Sequence, residues 1–135
     1  MNEITFQIDG PPIALERARS TRKGFHYDPQ AKVKQSVVES VKGQIEGFEK
    51  ADGPIGIQVT FFFKLPKAWS KKKKDAHRHS FHTAPKDIDN LCKFLLDTFN
   101  GILYDDDRQV CLLQAAKAWD DKDYTVVKIS KMTKN

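Results

Sequence analysis

The sequence predicts a small mixed α/β fold of the α+β kind, a mixed sheet of about four to five strands with two helices packed on it. Three observations carry this. Apolar residues alternate in "EITFQID" (3–9) and "IGIQVTFFF" (55–63), the period of a half-buried strand. They recur every three or four positions over 29–48 and 87–99, the period of a helix with one buried stripe. Two further apolar stretches close the chain, and no internal repeat interrupts the series, so the 135 residues read as one domain, 1–135.

Taken in order, Ile4, Phe6 and Ile8 share one face of the first strand, and Gly10-Pro11-Pro12 ends it. "LERARSTRKGFHYDP" (15–29) is polar and arginine-rich, a short strand and a loop. The first helix turns Val33, Val37, Val41, Ile45 and Phe48 inward, and Gly53-Pro54 breaks the chain before the next strand. In that strand Ile55, Ile57, Val59, Phe61 and Phe63 share a face. Residues 64–84 read as a long, basic, irregular connection, of the kind that carries function or moves. The second helix points Ile88, Leu91, Cys92, Leu95 and Phe99 inward and stops at Asn100-Gly101. An apolar strand from about Gln109 follows, and the last strand, 123–130, is expected to pair with it across Asp120-Asp121.

Composition narrows the function classes. Apolar residues make up 39% and charged residues 30%, and no apolar run reaches the roughly 18–20 residues that span a bilayer. The N-terminus is unlike a signal peptide, and Cys92 and Cys111 both lie in apolar segments, so a cytoplasmic chain with two reduced core thiols is expected. The net charge of +5 favours a polyanionic partner such as nucleic acid.

The acids are clustered. Asp87 and Asp89 open the second helix, Lys93 follows Asp89 by four positions, and Asp105-Asp106-Asp107 comes after the helix end. A helix running back alongside the next strand would return the triplet to Asp87 and Asp89. Grouped carboxylates raise one another's pKa unless a cation neutralises them, and a few hard oxygen ligands suit Mg²⁺. In a basic protein this points to metal-assisted phosphodiester chemistry, with Lys93 facing the scissile phosphate. The alternative is plain structure: Asp87 as an N-cap, Asp89–Lys93 as an ordinary ion pair, the triplet as a solvated turn. An EF-hand is excluded, because "DIDNLCKFLLD" has no glycine at the sixth loop position.

Elsewhere, Lys71, Lys72, Lys73 and Lys74, with Lys67, Arg78 and Trp69 nearby, form either a phosphate-tracking surface or a solvated lysine face. Arg17, Arg19, Arg22 and Lys23 make a second basic stretch. His77, His79 and His82 lack the cysteine spacing of a zinc site. Tyr27 and Trp119 read as core or interface residues.

"DIDNLCKFLLDTFNGILYDDDRQV" resembles the signature of the RusA family of Holliday junction resolvases, the crossover junction endodeoxyribonucleases: D-x-D-N-L-x-K, a helix ending near D-x-x-N-G, then D-D-x-Q-V. "IDGPPIALERARSTRKGFHYDP" is similar to the family's N-terminal strand, proline pair and arginine-bearing loop. The resemblance covers nearly the whole chain, weakly at 64–84. It implies that Asp87, Asp89 and Asp107 are metal-binding catalytic acids, that Asp106 is the adjacent acid and that Lys93 is an essential lysine. Asp105 is an acid whose role the pattern leaves open. It further implies a homodimer that cuts four-way branched DNA symmetrically with Mg²⁺ or Mn²⁺, often prophage-encoded. A DNA-binding protein that kept the fold without cleavage is the alternative reading.

Overall fold

A computed structural model of the chain describes residues 1–16, 19–20, 24 and 26–132. The strands are β1 (Glu3–Asp9), β2 (Arg19–Ser20), β3 (His26–Tyr27), β4 (Ile55–Lys64), β5 (Val110–Asp120) and β6 (Tyr124–Lys131). The helices are α1 (Ala31–Ile45), α2 (Lys71–His77) and α3 (Ile88–Thr98). The main sheet has the order β1-β6-β4-β5, and β2 and β3 form a separate two-stranded pair. Pairing is antiparallel between β1 and β6 and between β6 and β4, and parallel between β4 and β5.

One face of the sheet carries the core. Ile55, Ile57, Val59, Phe61 and Phe63 of β4 are buried there with Ile4 and Phe6 of β1 and Val127 and Ile129 of β6. Val41 and Ile45 of α1 and Leu91 and Leu95 of α3 close over them. Phe99, just past α3, meets Phe6 edge-on with ring centroids 5.2 Å apart. On the opposite face Gln58 Nε2 of β4 donates to Gln114 Oε1 of β5 at 2.9 Å. Gly101 ends the α3 region at φ +81°, a conformation that suits glycine. Its N–H donates to Tyr104 O at 2.8 Å, and the Tyr104 hydroxyl reaches back to Leu96 O.

Four expectations are corrected. The last strand does not pair with its predecessor, because β4 lies between β5 and β6. The most apolar strand takes an inside position, and the connection from β5 to β6 wraps over its end. There Leu65 N–H donates to Asp120 O at 2.9 Å and Lys64 N–H to Asp123 Oδ1 at 2.8 Å. The 64–84 connection is not irregular throughout, since Ser70 Oγ accepts from Lys73 N–H and caps α2. Cys92 is a buried thiol, but Cys111 is exposed, because β5 is an edge strand whose start no described element covers. Val33 and Ile88, expected inward, are exposed in the first turns of their helices. No helix among the described residues is long and apolar enough to cross a membrane.

Candidate active site

Asp87 stands at the N-cap of α3 with extended backbone, and its carbonyl accepts from Asn90 N–H and Leu91 N–H at 3.1 and 3.2 Å. Its carboxylate makes no cap hydrogen bond. The acid therefore occupies a capping position without doing the capping that would explain it. Asp87 and Asp89 line an open depression of ≈ 500 Å³ together with Phe81, His82, Ile88, Ala115, Ala116 and Lys117. Phe81 is 81% exposed at its rim. Lys93 Nζ lies 3.9 Å from Asp89 Oδ2, and both side chains are more than half exposed. At that distance and exposure the pair contributes at most about 1 kcal/mol to stability. Asp89, Lys93 and Asp97 are spaced four apart, so they run as one stripe along α3.

The second acid group is a built turn. Asp106 precedes a single 3₁₀ turn (Asp107–Gln109) and accepts from Arg108 N–H at 3.0 Å. Gln109 Oε1 accepts from the N–H groups of Asp105 and Asp106 at 2.7 and 2.9 Å. Its Nε2 donates to Ala51 O and Gly53 O at 3.0 and 2.9 Å, which fastens the turn to the segment before β4. Asp105 pairs with Lys50 at 2.7 Å. The Arg108 amide and a hydrogen bond with Asp107 hold the Asp106 carboxyl below its ordinary value. Asp107 is pushed the other way, by that hydrogen bond with Asp106, by partial burial and by the charges of Asp106 and Asp97. Two carboxyls disposed like this favour sharing a proton, and a cation would relieve the same crowding.

A single chain does not unite the two groups. Asp107 feels Asp97, in the last turn of α3, whereas Asp87 stands just before the first. The eleven residues of α3 put about 15 Å between its ends. Among the described residues no group of three or more His, Cys, Asp or Glu side chains is placed to hold a metal ion. The expected return of the triplet to Asp87 and Asp89 thus fails within one chain. The reason is direction: β5 starts near the C-terminal end of α3, so the strand residues beside Asp87 and Asp89 are Ala115, Ala116 and Lys117.

Lys71, Lys72, Lys73 and Lys74 all lie on α2, which has no buried residue. Trp69 anchors that helix, tilted against His77 and Trp119, with Lys73 Nζ 4.3 Å from the Trp69 ring centroid. Arg78 spends its guanidinium on Asp75 and Asp121 and braces the end of α2. Arg17, Arg22 and Lys23 lie outside the described residues, and Arg19 is described only as backbone in β2. His82 stacks on Phe63 and packs against Trp119, while His77 Nδ1 meets Lys73 O. Trp119 is buried and Tyr27 exposed. Phe81 and Lys117 were not singled out from the sequence. Lys117 had a signal, a lone charge in the largely apolar "LLQAAKAW".

With this geometry in hand, comparison with known proteins is specific. The family model for Endodeoxyribonuclease RusA matches residues 9–130. The chain is also 31% identical over 141 residues to the uncharacterized protein YqaN of Bacillus subtilis (strain 168), a similarity covering 98% of this chain and 99% of that one.

Proposed function

Because this chain belongs to the RusA family of endodeoxyribonucleases, we propose that it is a structure-specific endodeoxyribonuclease acting on branched DNA. Holliday junctions are the foremost substrate, resolved by phosphodiester hydrolysis in DNA recombination and repair. The observation that carries this reading is Asp87. Its carboxylate sits at a helix start without capping it, in an open depression beside Asp89, which itself lies 3.9 Å from Lys93.

In this reading Asp87, Asp89, Lys93 and Asp107 are catalytic, and Asp87, Asp89, Asp106 and Asp107 are the carboxylates for Mg²⁺, with Mn²⁺ as a substitute. Lys93 offers an ammonium to a phosphate lying along α3. Lys71 to Lys74 follow the DNA backbone from the exposed α2, with Arg17 and Arg19 as a second basic stretch. Arg78, already engaged by two carboxylates, contributes through the placement of α2. The protein acts as one domain, 1–135, in the cytoplasm, of the kind prophages carry.

Since one chain leaves the two acid groups at opposite ends of α3, the homodimer is part of the proposal. A four-way junction needs two opposed nicks, which a two-fold pair of sites meets. The exposed Leu112 and Leu113, on either face of edge strand β5, leave its start apolar and open to a second copy. The separation of the acids also favours one rival, a branched-DNA-binding protein of the same fold that does not cut.

Labelled four-way junction, flap and plain duplex incubated with the protein, with and without Mg²⁺, decide between them. Paired nicks in the junction that require Mg²⁺ are expected. Tight junction binding without nicks supports the rival, and no preference for branched DNA overturns both.

A further inference from the structure

On the side of β5 that faces α3, Leu113, Ala115, Lys117 and Trp119 stand opposite the buried Ile57, Val59, Phe61 and Phe63 of β4. Lys117 brings a charge to this apolar row. Among the described residues its ammonium pairs with no acid. It donates to Ala84 O at 3.0 Å and to Lys86 O at 2.7 Å. Its backbone carbonyl accepts from His82 N–H at 2.9 Å. One strand residue therefore holds the segment leading into Asp87 at three points.

That segment is strained. Lys86 has φ +139°, a conformation that residues other than glycine rarely adopt. Such a backbone persists only where its surroundings over-determine it, and it gathers at functional sites. The surroundings here are explicit: the Lys117 ammonium on the Lys86 carbonyl, and the Lys86 ammonium on Pro12 O at 2.9 Å. The next residue is Asp87, whose carboxylate has no cap hydrogen bond to fix it. Nothing in Asp87's own side-chain bonding to the helix sets where it points, so its placement depends on the backbone before it.

We propose that Lys117 is a positioning residue of the nuclease site, holding Ala84 and Lys86 so that Asp87 stays aimed into the depression it shares with Asp89. The proposal rests on the nuclease reading for its catalytic consequence. The bracing of Asp87 is independent of that reading.

The test is Lys117→Met in the full-length chain, which keeps the apolar stem and removes the ammonium. Four quantities are measured: melting temperature, junction affinity in EDTA, single-turnover nicking in Mg²⁺ well below the melting point, and amide hydrogen exchange. Nicking is expected to fall on the order of tenfold to a hundredfold, the scale of misplacing a reacting group by about an ångström. Junction affinity should stay within about twofold, since the phosphate-tracking lysines are untouched. Faster exchange should be concentrated at the amides of Lys86, Asp87 and Ile88. Wild-type nicking by a folded Lys117→Met protein overturns the proposal, as does unchanged exchange at Lys86 and Asp87. A merely structural lysine would lower the melting temperature and leave the low-temperature rate alone. If Lys117→Met does not fold, Lys117→Arg decides. It keeps the charge but presents a rigid fork, so a several-fold loss of rate with normal affinity supports positioning, and wild-type rate and exchange overturn it. If the wild-type protein itself fails to nick, the nuclease reading falls, and the exchange data alone judge whether Lys117 braces Asp87.

Discussion

The side-chain amide of Gln109 donates to the carbonyl of Ala51, 58 residues earlier in the chain, at 3.0 Å. Through the same side chain the amides of Asp105 and Asp106 are satisfied. The acid turn is thus tied to the segment before β4 by a single neutral side chain, which shares the capping of the turn with the Asp106 carboxylate and leaves Asp107 free of that task.

Gln109→Leu should remove both sets of bonds at similar volume. The partly buried carbonyls of Ala51 and Gly53 and two amides lose their partner, which costs about 1–3 kcal/mol. Gln109→Glu should be worse than leucine, because a carboxylate then faces two carbonyls. Urea unfolding of the three proteins orders them, and equal midpoints would show that the latch contributes nothing.

Lys34 makes the corresponding tie between helices. Its largely buried ammonium bonds Asp28 at 2.6 Å and also Asp97 in the last turn of α3. The Lys34 hydrogen bond, helped by the Gln30 amide, holds Asp28 below its ordinary value near 3.8. Burial opposes the charge on Lys34, but the two carboxylates outweigh it and raise the ammonium above 10.5. A depressed carboxyl stabilises the fold above about pH 4, and that contribution is lost as pH falls through its folded value. The raised ammonium stabilises below about pH 10, with loss as pH climbs past its own. Lys34→Met should therefore destabilise by about 1–3 kcal/mol near pH 7, with the gap to wild type narrowing below about pH 4. Denaturant midpoints at pH 7 and pH 3 test this, and a gap that is the same at both would refute the pairing.

Much of the fold is legible in the sequence because its signals are local. The alternation of Ile55 to Phe63 and the stripe Leu91–Leu95–Phe99 are readable from near neighbours alone. The pairing of β6 was not, because it depends on which strand the whole sheet buries at its centre. Helix α2 was hidden for a related reason: a helix with no buried face has no apolar period, and only Ser70 marked its start. At the site, the spacing of Asp87, Asp89 and Lys93 was visible. Their distance from Asp107 was not, since it follows from the direction of β5 relative to α3.

Replacing Lys71, Lys72, Lys73 and Lys74 with glutamine should flatten the salt dependence of junction binding. Each phosphate neutralised contributes roughly 0.9 to the log–log slope. Folding should be little changed, because α2 buries none of its residues. Fluorescence anisotropy across a salt series reads the slope, and an unaltered slope removes α2 from the binding surface.

Lys93→Ala separates an electrostatic role at the phosphate from an ordinary helix pair. The 3.9 Å approach to Asp89 is exposed on both sides, so stability should change by at most about 1 kcal/mol. Nicking should drop on the order of a hundredfold or more, the scale of losing a contact made to developing charge. Near-wild-type nicking would leave Lys93 as a surface ion-pair partner.

Asp89→Asn asks whether the start of α3 is a site or a helix surface. Asparagine is nearly isosteric, and Asp89 is 67% exposed with only a long contact to Lys93. The packing of Leu91 and Cys92 beneath it should be unaffected, so the melting temperature should hold. One negative charge leaves the carboxylates proposed for the cation, so nicking in Mg²⁺ should fall to near background. Binding should move the other way. Without metal, Asp87 and Asp89 repel an approaching phosphate, and neutralising one should hold or slightly raise junction affinity in EDTA. A residue needed only for folding would lose all three properties together. A surface residue would change none. The combination of normal melting, held or improved binding and lost nicking is the signature of a carboxylate kept for chemistry, and normal nicking by a folded Asp89→Asn protein would sink the assignment.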